Sequence, residues 1–143
     1  MVNENDFKIT DLQQDNIAIA DRTDWYSSQA ADARLERDRL ENKLELREAE
    51  VELTIRANAT QTGEKLTEAV VKAKVTATPE IVSLKEQVAE ADHALGVLMA
   101  AVKAMDAKKA ALDNLIKLNT QTSIAAYRDA DKIAEKASTM ALG

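Results

Sequence analysis

With 143 residues and a net charge of -6, the chain has room for one domain and carries only three glycines, one proline and four aromatic residues. That stock cannot furnish the turns and rings of an all-β or α/β domain, and the lack of cysteine excludes disulfides, thiolate metal sites and cysteine nucleophiles. An acidic chain is not a polycation that coats nucleic acid at random, although a local basic patch still acts on phosphates within about 10 Å at ordinary salt.

Thr10 followed by Gln13 matches a capping box, so a short helix is expected over residues 11–20. Its apolar residues then run out, and Asp21, Arg22, Thr23 and Asp24 read as a joint. A long helix follows over 25–58, with Leu40, Leu44, Val51 and Ile55 on one face at the 100° step. Leu35, Leu46, Ala49 and Leu53 lie almost opposite. Two apolar stripes on opposite sides of one helix need two partners, and a short chain supplies one of them from itself. Leu35, Leu46 and Leu53 are therefore assigned to an interface between subunits.

Residues 59–66, with Gly63, break the pattern and turn the chain. A short helix over 67–77 ends at Thr78-Pro79, where Thr caps and Pro occupies the first turn of the next helix. That helix, over 79–118, is the longest. From Ile81 its positions Leu84, Val88, Ala91, Leu95 and Leu98, then Val102, Met105, Lys109, Leu112 and Ile116, alternate three and four apart. Lys109 alone interrupts the apolar seam. A neighbouring seam of Val97, Ala101, Ala104, Ala111, Leu115 and Leu118 lets a second helix approach closely, so Val97, Ala101 and Leu115 join the expected interface. Asn119 to Thr122 read as a further joint, a terminal helix is expected over 123–137, and the tail Ser138 to Gly143 is expected to fray.

The fold class is thus all-α: long amphipathic helices in a hairpin or bundle, forming a single helical domain over 1–143. A core built largely of alanine buries little apolar area, which favours self-association. Catalytic chemistry is poorly represented. Glu90 and His93 have the spacing used by di-iron bundles, but such a site needs two such pairs and the chain has one histidine. No catalytic triad or glycine-rich phosphate loop can be assembled either, so neither an enzyme nor a metal or cofactor is expected. No apolar run approaches the roughly 20 residues of a membrane span, and the polar start lacks a signal peptide's features. A cytoplasmic protein that does not enter membranes is expected.

Three segments taken in order resemble a known family. They are Lys65-Leu66-Thr67-Glu68-Ala69-Val70-Val71-Lys72-Ala73-Lys74-Val75, then Thr78-Pro79-Glu80, and then Leu98 to Met105 with Lys108 to Leu115. Together with Asp11-Leu12-Gln13 near the start, their order and spacing are similar to those of the phage recombination mediators grouped with UvsY. The resemblance covers most of the chain. It implies a ring-like homo-oligomer that binds single-stranded DNA and helps a RecA-like recombinase displace a single-strand-binding protein, in a bacterial host's cytoplasm. The family ties a Lys-x-Arg pair before the connector to DNA binding; here the matching positions are Thr54 and Arg56, so the arginine is kept and the lysine is not.

Basic side chains bind DNA by neutralising phosphates whatever the bases, and the candidates beside Arg56 are Lys65, Lys72 and Lys74, with Lys103, Lys108 and Lys109 near the end of the seam. For each lysine the plain alternative is a solvated helix face. Lys109 sits at a core position, where lysine either specifies register or, if the seam opens, meets DNA. Trp25, Tyr26 and Tyr127 either stack on unpaired bases or anchor packing. A different function fits the same helices, namely a phage or bacterial scaffold or chaperone that binds only proteins.

Overall fold

The computed structural model describes residues 2–142, and every regular element among them is helical. A 3-10 turn, Glu4–Phe7, precedes three helices: α1 (Leu12–Thr62), α2 (Glu68–Ala77) and α3 (Pro79–Leu142). The chain divides into two compact units, one of residues 1–24 with 103–143 and the other of residues 25–102.

Helix α1 starts one residue later than the capping-box reading places it. Asp11 is the cap: its Oδ1 accepts from the Gln14 amide at 3.0 Å, while Asp15 Oδ2 accepts from the amides of Thr10 and Asp11 at 2.9 and 3.1 Å. A carboxylate on first-turn amides also lies well in the positive field of the helix start. The expected joint at 21–24 does not form. No glycine or proline interrupts α1, and the Thr23 hydroxyl donates to the Ile19 carbonyl at 2.7 Å. The inward register also survives the joint, because Ile19, Thr23, Tyr26 and Ala30 keep helical spacing and all are at least half-buried.

The stop of α1 is built by Gly63. Its φ of +72° lies in the left-handed region, and the Glu64 amide then donates to the Ala59 carbonyl at 3.0 Å. The connector is therefore shorter than 59–66, with α1 continuing through Thr62. Thr67 caps α2 by accepting from the Val70 amide at 3.3 Å, and the Thr78 amide closes it on the Val75 carbonyl at 3.1 Å.

Within the unit of residues 25–102, Val71, Val75 and Ile81 are buried, with Leu44, Val51, Ile55 and Leu66 packed around them. Val71 and Val75, four residues apart, give α2 one apolar edge, and that edge seats on the α1 stripe expected from its periodicity. Ion pairs Arg37–Asp92, Lys85–Glu48 and Arg47–Glu80 cross between α1 and α3, and their falling and rising numbers mark an antiparallel pair. Within the other unit, Ile19, Met105, Leu112 and Lys108 are buried.

Helix α3 does not break at 119–122 but runs to Leu142, so neither a separate terminal helix nor a frayed 138–142 is found; Gly143 lies outside the described residues. Asn119 to Thr122 contain no glycine or proline, and the Thr120 hydroxyl folds back onto the Ile116 carbonyl at 2.9 Å. Polar residues alone do not stop a helix when nothing else caps its carbonyls.

Candidate nucleic-acid interface

Four basic candidates belong to the unit of residues 25–102. Arg56 projects from α1 and is already engaged. Its Nη2 lies 2.9 Å from Glu52 and 2.9 Å from Glu68, joining α1 to the start of α2. The hydrogen bonds it donates to Glu68 first, and to Glu52 second, raise its pKa above the usual arginine value. A phosphate reaching Arg56 meets a guanidinium whose Nε and Nη2 are already given to two carboxylates. Lys74, on α2, pairs with Glu64 of the connector at 3.6 Å. Lys65 and Lys72 are exposed and meet no carboxylate among the described residues. Lys72 borders a groove that also receives Glu48, Glu52, Glu68 and Lys85, so its surroundings are of mixed sign.

The other three candidates belong to the second unit. Lys103 is exposed on α3. Lys108 is 5% exposed and turned inward, where its Nζ donates to the Asp6 carbonyl at 2.7 Å and to Asp15 Oδ1 at 3.2 Å. Its ammonium is held by the protein and does not face solvent, which corrects its assignment to DNA contact. Lys109 is exposed beside Ile19, Thr23, Asp24 and Asp106, and does not occupy the core position assigned to it. The packed line steps from Ala101 to Met105, Lys108 and Leu112, so the seam's charged member is Lys108. Steps of three and four allow either lysine between Met105 and Leu112; the carbonyl and carboxylate waiting inside select Lys108.

The Lys108 contact secures the chain's start. Asp15 thereby accepts from the Thr10 and Asp11 amides and from the ammonium, and those bonds, Thr10 first, hold its carboxyl below the usual aspartate value. Arg22 also pairs with Asp6 of the 3-10 turn. Sequence reasoning missed this cluster, and its one legible sign was an Asp on the first turn of α1.

Of the six residues assigned to an interface, Leu35, Leu46, Leu53, Val97 and Leu115 are exposed, at 50, 63, 69, 42 and 42%. Ala101 is not: at 4% exposure it packs inside the chain, because it precedes Met105 by one helical turn on the buried line. Tyr26 is a buried anchor with Trp25 edge-on, ring centroids 4.9 Å apart at 82°. Trp25 and Tyr127 remain exposed. His93 is exposed, and among the described residues no three acidic, histidine or cysteine side chains converge to hold a metal ion.

Comparison with protein-family models, with curated proteins and with solved structures finds no match to this chain. Among the described residues no helix is long and apolar enough to cross a membrane.

Proposed function

We propose that this chain is a recombination mediator of the UvsY kind: a self-associating helical protein that holds single-stranded DNA in the host cytoplasm and helps a RecA-like recombinase replace a single-strand-binding protein. No catalytic group or cofactor enters this reading. The observation that carries it is the pair Lys65 and Lys72, which flank the start of α2 inside the segment that resembles the family and meet no carboxylate among the described residues. Lys103 and Lys109 add exposed charge in the other unit.

A protomer of net charge -6 binds phosphate weakly through so few cations. Repetition of the patch in an oligomer compensates, since each further contact on one strand is made at high effective concentration. The exposed leucines of α1 supply a surface for that repetition. Arg56 contributes less than the family pattern implies, because Glu52 and Glu68 already neutralise it. The same neutralisation favours a second reading, a helical scaffold that binds only proteins.

Fluorescence anisotropy of a labelled single-stranded oligonucleotide at a series of salt concentrations separates the two. Binding that weakens with salt is expected, and Lys65→Ala/Lys72→Ala should lower the slope of log affinity against log salt by about 1.4, at roughly 0.7 per phosphate contact. Arg56→Ala should change the slope by less than either lysine. No binding at low salt, with duplex DNA as the control, selects the scaffold.

A further inference from the structure

The apolar seam of α3 does not end where its packing ends. Every side chain from residue 117 to residue 141 is exposed, so about 36 Å of helix, at 1.5 Å per residue, has no cover from its own chain. Beyond Leu112 and Ile116 the alternating steps of four and three continue through two polar residues, Asn119 and Ser123. They then reach Ala126, Ala130, Ile133, Ala137 and Met140 without a slip. Ile133 and Met140 stand 69 and 81% exposed on this line. Most helical stability in proteins comes from packing an apolar face rather than from propensity, and this face has nothing packed on it.

We propose that this arm of α3 packs antiparallel against the same arm of a second copy of the chain, about a two-fold axis between Ala130 and Ile133. The charges beside the seam identify the occupant. Asp129 and Lys136 lie on one flank, each just before a seam alanine and seven residues apart. In an antiparallel pair this flank faces itself. Asp129 then meets Lys136 of the second copy, and Lys136 meets its Asp129. In a parallel pair it faces the opposite flank, where Tyr127 and Ala134 offer no charge.

Packing agrees with the same register. Ala130 stands opposite Ile133, Ser123 opposite Met140, and Ala126 opposite Ala137, so large residues meet small ones and the backbones approach closely. The exposed stripe of α1 is a poorer partner for the arm, because the charged Arg39 and the polar Asn42 interrupt its seam between Leu35 and Leu46, whereas the arm's seam from Ala126 to Met140 is apolar throughout. A two-fold contact joins copies in pairs, whereas a ring is closed by a repeated head-to-tail contact. The arm contact is therefore distinct from the surface that a mediator ring would use, and it stands whether or not the protein binds DNA.

The chain contains no cysteine, which makes thiol cross-linking specific to introduced sites. Full-length Ala126→Cys and Ala137→Cys proteins, mixed and mildly oxidised, should give a disulfide-linked heterodimer, while each variant alone should not cross-link to itself. Self-linking of either variant alone would show a parallel pair and overturn the proposal. Sedimentation equilibrium provides a second readout that needs no bond geometry. Asp129→Lys and Lys136→Glu should each weaken pairing roughly tenfold by setting like charges together, and the double exchange should restore it. Pairing insensitive to both single changes, or an arm that does not pair at all, also overturns it.

Discussion

In residues 25–102 the most buried side chains are Ile81, Tyr26 and Val71, at 0, 1 and 2% exposure, and the charges stay at the rim as ion pairs. In residues 1–24 and 103–143 a lysine ammonium sits among the buried positions beside Met105 and Leu112, at 0% exposure. The first unit gains stability by removing apolar surface from water, an effect without direction. The second adds a contact with strict geometry, since a buried ammonium is tolerated only while its hydrogen bonds are made. The difference teaches that an alanine- and leucine-rich helix pair has many near-equivalent registers, and that one buried lysine with a fixed carbonyl partner selects among them.

The largest expected effect is in the apolar unit. Ile81→Ala leaves a cavity beneath α2 and should lower stability by about 3 kcal/mol, read from urea unfolding. Faster amide hydrogen exchange should appear first in α2. Protection of α2 that survives the substitution would show that the valine edge alone holds that helix, and would break the contrast drawn between the units.

Lys108→Ala comes next, at about 2 kcal/mol, because two charge-assisted hydrogen bonds are lost and Asp15 loses its cation. Amide exchange should quicken in residues 4–24 and not in α2. Lys108→Met, which keeps the bulk, should recover part of the stability but not a unique register, visible as broadened amide resonances from the start of α1. Acid provides an independent probe. The Asp15 carboxyl is held below its unfolded value, so its contribution is complete above the ordinary aspartate pKa of about 3.9 and is lost as pH falls through its lower folded pKa. Lys108→Ala should soften this loss without abolishing it, since the Thr10 and Asp11 amides are the larger causes of the shift.

Much of the fold was legible in residues whose spacing repeats. The α2 boundaries followed from Thr67, Thr78 and Pro79, and the inner line of α1 from Leu40, Leu44, Val51 and Ile55. The joints expected at 21–24 and 119–122 do not form because polarity alone is no break: Thr23 and Thr120 bond back to carbonyls one turn earlier, within helices that run on. Lys108 and Lys109 could not be told apart by period, because both fit between Met105 and Leu112. Which one turns inward depends on Asp6 and Asp15, roughly a hundred residues earlier, a separation that no local pattern reports. The basic candidates were visible as residue types, and Glu52 stands one helical turn before Arg56, but the engagement of Arg56 by Glu68 and of Lys74 by Glu64 became apparent only once α2 was laid beside α1 and the connector.

The smallest expected effect tests whether the apolar unit also depends on a directional element. Gly63 stands at φ +72° with nothing within 4 Å of an added Cβ, so Gly63→Ala meets no clash and isolates the backbone cost. An alanine in the left-handed region costs roughly 1 kcal/mol. Gly96, inside α3 and equally uncrowded, has no positive φ, so Gly96→Ala should instead stabilise by about 0.5–1 kcal/mol by raising helix propensity. Opposite signs from two identical substitutions, measured by thermal unfolding, would locate the directional information of residues 25–102 in the turn after α1. Stabilisation at both positions would mean that α2 finds its seat through the Val71, Val75 and Ile81 cluster alone, and that the turn merely follows.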